Sequence, residues 1–172
     1  AIKILARYIY KEVEKMDVRL VSFNSGKMHN AIPRDGKFVI AVPADRKEEV
    51  RVDWNVFASE VEEEFHVSDT QMVWNMQSTD AQPVIEKSVA DRFIRALQAV
   101  DNGVFAMCQD KALETMVETS SNIASIITED EKISCVASQR SNVMSNLDNM
   151  CNTVKAVFEL AGANVEQNDG YP

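Results

Sequence analysis

The chain reads as an α+β fold, one or more antiparallel sheets with helices packed on one face. Three observations predict this. Apolar residues recur every three or four positions in four separate segments, which is helical spacing. Between them lie short β-branched runs bounded by Gly, Asn and Asp, the composition of strands and turns. The segments follow the order αββαβ and then αβββαβ, so helices alternate with turn-linked strand pairs. That order suits helices laid against one side of an antiparallel sheet.

The elements are justified in turn. Ile2, Leu5, Ile9, Val13 and Met16 form the first helical stripe. Residues 18–23 alternate, with Val18, Leu20 and Ser22 on one face and Arg19, Val21 and Phe23 on the other, which predicts a strand. Asn24-Ser25-Gly26 turns the chain into a loop over 27–36 that contains Pro33 and closes at Asp35-Gly36. Phe38 to Val42 is a second strand. Asp45 and Glu48 have capping-box spacing ahead of a helix with Val50, Trp54, Phe57, Val61 and Phe65 in register. The acidic run Glu60, Glu62, Glu63, Glu64 lies mainly off that stripe and reads as its solvated face. Gln71 to Met76 reads as a strand.

A third helix is expected from Pro83, carrying Val84, Ile85, Val89, Phe93, Leu97 and Val100, and ending at Asn102-Gly103. Strands over 104–109, 117–127 and 132–138 follow, the last two joined by Glu129-Asp130-Glu131. Ser141 is the expected N-cap of a final helix with Val143, Leu147, Met150, Val154, Val157 and Ala161 in register and Gly162 as its stop. A short strand over 164–167 closes the chain. The plan is that of a doubled ferredoxin-like (βαββαβ-type) domain over residues 1–172, its first unit short of one strand. Element order alone divides it into pseudo-repeats 1–78 and 79–172.

Composition bounds the function. At 45% hydrophobic the chain can build a sizeable core. A net charge of −9 argues against nucleic acid, whose binding rests on Lys and Arg neutralising phosphates, and against anionic membrane surfaces. Three cysteines without C-x-x-C spacing predict a reducing, cytoplasmic setting and no disulfide framework. The ends, Ala1-Ile2-Lys3-Ile4 within a helical pattern and Gly170-Tyr171-Pro172, read as boundaries of a piece cut from a longer chain.

Little of the chain can do chemistry. The only histidines are His29 and His66, and a zinc site needs three or four converging ligands. No G-x-S-x-G elbow and no phosphate-cradling glycine loop is present. Two groups suited to gripping a carboxylate remain. The Asn30 amide can donate to an anion without gaining or losing a proton. The planar Arg140 guanidinium matches a carboxylate bidentately, which Lys does not. On residue chemistry alone each has an ordinary reading too, a turn Asn and a solvated Arg.

Five stretches, in order, carry a resemblance: Leu20-Val21-Ser22-Phe23-Asn24-Ser25-Gly26 with Asn30-Ala31-Ile32-Pro33; Asn102-Gly103-Val104; Val117-Glu118-Thr119-Ser120-Ser121-Asn122; Arg140-Ser141 before a helix ending Leu160-Ala161-Gly162-Ala163; and Tyr171-Pro172. Together they resemble the lid segment of aminoacyl-histidine dipeptidases (Xaa-His dipeptidase, peptidase D), which belong to the zinc metallopeptidases related to carnosinase and the aminoacylases. The resemblance implies a two-part metallodipeptidase. A catalytic domain, absent from this chain, holds two zinc ions and the general base, and a lid closes over the dipeptide. It maps the lid Asn to Asn30 and the lid Arg to Arg140, both holding the substrate's C-terminal carboxylate, with no catalytic or metal-binding residue in this chain. The implied partners are the dipeptide, the chain's own catalytic domain and, as in related lids, a second copy in a homodimer. Two alternatives stay open: a stand-alone ferredoxin-like module that binds a small ligand, and an oligomerisation module.

Overall fold

The computed structural model describes residues 1–168. Four helices and five strands form two layers. Helix α1 (Ile2–Lys15), strands β1 (Arg19–Ser25) and β2 (Gly36–Ala41), a 3₁₀ turn (Ala44–Arg46) and α2 (Lys47–Glu64) make the first half. Helix α3 (Lys87–Ala99), strands β3 (Gly103–Met107), β4 (Val117–Thr128) and β5 (Ile133–Ser141), and α4 (Met144–Leu160) make the second. The α+β class with an antiparallel sheet is as expected.

Every strand pair is antiparallel. β4 is the long central strand. β5 pairs along it from Thr119 to Thr128, β3 pairs with its start, and β1 meets it at Ser25↔Ile126 and carries β2 beyond. The β1–β4 seam is completed by side chains. Thr128 Oγ1 accepts from the Phe23 N–H and donates to the Phe23 carbonyl, and Asn24 Oδ1 accepts from the Thr128 N–H. Helix α1 lies between α2 and α3, and α3 touches α4.

All four helices and strands β1 and β4 share one core. Its densest part is aromatic. The Tyr8 and Trp54 rings meet edge to face at 4.9 Å, and Phe57 packs against both and against Trp74. Burial of each such ring contributes about 1.5–3 kcal/mol. The α2 stripe predicted from spacing is the one buried: Val50, Trp54, Phe57 and Val61. α4 ends as predicted at Gly162, whose φ of 83° permits a Schellman closure: Gly162 N–H donates to Glu159 O and Ala163 N–H to Phe158 O.

Several local expectations are corrected. No strand forms over 71–76 or 164–167. In the first, Met72 and Trp74 do alternate inward, and Trp74 packs on Trp54 at 5.4 Å, but the segment pairs with no strand. Alternation shows which side chains are sheltered, not that the backbone has a ladder partner. The order is therefore αββα followed by αβββα. The β1 faces also differ. Leu20 pairs with Ile40 and Ser22 with Val39, so Val21 is an extra bulged residue. The bulge resets the parity, and Leu20 and Phe23 both enter the core.

α3 begins at Lys87, not Pro83, because residues before it run extended and the Ile85 N–H donates to Leu20 O. The Glu86 carboxylate caps it through the Ser88 N–H. Its buried stripe is Ala90, Ile94 and Leu97, while Val84 and Val89 are exposed. The Asp45/Glu48 capping box does not form: the 3₁₀ turn occupies that entry, and Arg46 pairs with Glu49 instead. The Tyr171-Pro172 match lies outside the described residues.

Candidate functional site

The loop that carries Asn30 leaves the sheet at Gly26, and glycine is required there. Its φ is 72°, and a Cβ would lie 2.0 Å from the Ala124 carbonyl oxygen. The loop start is thus pressed onto the β4 backbone. Further on, the Asn122 side-chain amide of β4 donates to the Ala31 carbonyl at 2.9 Å. Pro33 is buried, and Ser25 Oγ donates to the Asp35 carbonyl at 2.6 Å just before β2 begins. The segment is therefore held at its start, middle and end. Asn30 sits in the turn beside Ala31, exposed, with His29 exposed next to it.

Arg140 stands near the end of β5, opposite Ser120. Its side chain is exposed and belongs to none of the ion pairs among the described residues. The turn that follows it is built on β4. The hydroxyls of Thr119 and Ser141 are 2.8 Å apart, and the Asn142 N–H donates to Glu118 O. The Glu118 carboxylate accepts from the Asn146 amide at 2.6 Å and from the Thr119 hydroxyl. Ser141 is not the N-cap of α4; Val143 holds that position, and Ser141 Oγ accepts the Val143 N–H at 3.0 Å. The helix starts later because Ser141 still pairs with Thr119 as the last residue of β5.

These two pieces meet through β4. Asn122 pairs with Ser138, and Ser120 with Arg140, two residues along the same strands. That step is about 7 Å and keeps both rows on one side of the pleat. The neighbours Thr119, Ser121 and Ile123 are buried toward the helices, so Ser120, Asn122 and Arg140 belong to the opposite, helix-free face. The strand thus brings the Asn30 loop and Arg140 onto one open face. Sequence reasoning quoted Asn122 as part of a matching stretch but assigned it no part. The signal that could have singled it out is a polar residue alternating with buried ones in mid-strand.

The open face mixes Ser120, Asn122 and Arg140 with the exposed apolar Val104, which pairs with Ser120, and Val136 further along. Two cavities lie elsewhere, one of about 80 Å³ between α1 and α2 and one of about 200 Å³ beside His66. His66 is exposed, with Nδ1 at 2.6 Å from Glu63 O. Among the described residues no three His, Cys, Asp or Glu side chains converge to hold a metal ion. The zinc ions that the resemblance implies do not fit on these residues. Burial pushes the Cys135 thiol up to about 12, so it stays protonated. No helix among the described residues is long and apolar enough to cross a membrane.

No family model matches the chain. In an alignment of 172 positions that covers 99% of its length, it is 31% identical to the cytosol non-specific dipeptidase of Escherichia coli (strain K12), of which it covers 35%. The crystal structure of aminoacylhistidine dipeptidase from Vibrio alginolyticus matches it with a TM-score of 0.92 at 33% identity, covering 100% of this chain and 35% of that one. The chain spans 35% of the length of each relative, so it matches a segment of them and not the whole. In sequence and in fold the chain is similar to one segment of these two dipeptidases.

Proposed function

We propose that this segment is the lid of a dipeptidase acting on Xaa-His (carnosine-like) dipeptides, and that Asn30 and Arg140 hold the C-terminal carboxylate of the substrate. The observation that supports the reading is that the Asn30 loop is tied to Asn122 and Arg140 pairs with Ser120, two positions apart on β4. A dipeptidase must measure substrate length, and gripping the free carboxylate does so. The grip also orients the scissile carbonyl toward the catalytic groups of the remaining part of the protein, and orientation of this kind contributes several kcal/mol to catalysis. A charge-assisted contact to Arg140 strengthens once closure excludes water. The two zinc ions belong to that remaining part. On this reading the segment by itself hydrolyses nothing.

The test compares a dipeptide with its C-terminal amide in the full-length enzyme. Arg140→Ala should lower kcat/KM for the free acid about 10- to 100-fold, the range of one lost charged hydrogen bond. It should barely change turnover of the amide. Unaltered preference for the free acid would overturn the assignment.

A further inference from the structure

We propose that Asn122 is a positioning residue of this site, one that fastens the loop carrying Asn30 to the sheet and so sets where the Asn30 amide stands relative to Arg140. The inference rests on the lid reading of Asn30 and Arg140 and adds to it a residue that touches no substrate. Between Gly26 and Gly36 the chain has no ladder partner. The Ala1 ammonium donates to Pro33 O at 3.0 Å, and nearer to Asn30 the Asn122 Nδ2–H donates to Ala31 O at 2.9 Å.

The anchor is firm. Asn122 is paired with Ser138, and the following Ile123 N–H is held by Asn102 Oδ1 at 2.8 Å. On the same strand, Glu118 and Thr119 hold the turn after Arg140. One rigid stretch, Glu118 to Asn122, therefore supports both halves of the grip. A neutral amide suits the post. It donates at every pH, whereas an ionised Asp accepts only and a Ser side chain is shorter. Asn30 is exposed, so its place depends on the backbone beneath it. A misplacement of about 1 Å at a substrate-holding group can cost up to ~100-fold in rate.

The experiment is a double-mutant cycle in the full-length enzyme: parent, Asn122→Asp, Asn30→Ala and the double variant. Each is assayed for kcat and KM on a free dipeptide and its C-terminal amide, with thermal midpoints alongside. Asn122→Asp keeps the shape and removes the donor, and Asn122→Ala serves as a second variant without added charge. Either should lower kcat/KM for the free acid about tenfold with little effect on the amide. In the Asn30→Ala background the same change should cost less than about twofold, since its only target is gone. An equal loss in both backgrounds would overturn the inference while leaving the lid reading intact. An Asn30→Ala enzyme that keeps the full preference for the free acid would sink the lid reading itself, and Asn122 with it.

Discussion

The two faces of the sheet are made of different materials. On the covered face Leu20, Phe23, Ile123 and Ile126 meet the rings of Tyr8, Trp54 and Phe57. On the open face Arg140 is exposed, Ser120 and Asn122 are half-buried, and the exposed Val104 stands opposite Ser120. One strand serves both: β4 turns Thr119, Ser121 and Ile123 inward and Ser120 and Asn122 outward. The difference teaches a division of labour. Apolar burial on one side supplies the stability that holds a polar constellation on the other, where few side chains touch enough neighbours to stabilise anything themselves.

The largest effect should come from the covered face. Phe57 is 1% exposed and contacts three aromatic rings. Phe57→Ala should cost about 3–5 kcal/mol in urea unfolding, against near zero for Arg140→Ala. A Phe57 loss below about 1 kcal/mol would break the division, since an aromatic core site does not tolerate truncation that cheaply.

Gly26 is where the faces meet, and Gly26→Ala should fall next. The left-handed backbone and the clash with Ala124 O together should cost about 2 kcal/mol by denaturation. Because Gly26 opens the Asn30 loop, the full-length variant should also lose activity on free dipeptides. Lost stability with activity per folded molecule intact would show that the loop start does not govern Asn30.

The smallest effect sharpens the comparison by pH. Glu12 is 2% exposed and its Oε2 has no hydrogen-bond partner. Burial pushes its carboxyl up, Asp53 and Glu49 add to this, and Lys15 and Lys11 oppose it. The folded value therefore exceeds the ordinary 4.5. The native state binds this proton more tightly than the unfolded chain, so the stabilising contribution is complete below 4.5 and is lost as pH rises through the folded value. Glu12→Gln cannot ionise. It should raise the thermal midpoint at about pH 8 more than at about pH 4. The same shift at both would show that folding leaves the proton affinity of Glu12 unchanged.

Much of the fold was legible in the residues. The α2 stripe was read correctly because an amphipathic helix needs only its own spacing, and the Gly162 stop because only its own backbone angle was needed. The start of α3 was placed too early because Pro83 looked like a helix start, while the backbone there is engaged with Leu20 instead; of the expected stripe Leu97 and Val100 are buried. The Asp45/Glu48 box failed because the entry tightened into a 3₁₀ turn. Of the candidate site, Asn30 and Arg140 were visible as side-chain chemistry supported by a resemblance. Their support from β4 was not.

By itself the sequence determined what short-range rules govern: helical stripes, β-branched runs, turn residues, an acidic chain without a metal motif, and the ordered stretches shared with dipeptidases. The tertiary structure decided which extended segments found partners, so Met72 packed on the core and Trp74 on α2 without joining the sheet. It decided the parity of β1 through the bulge at Val21. It also decided that Asn122 would reach Ala31, 91 residues away in the chain. The reason is physical. Spacing and propensity act within one element, whereas strand pairing, bulge parity and close backbone approach depend on atoms that only folding brings together.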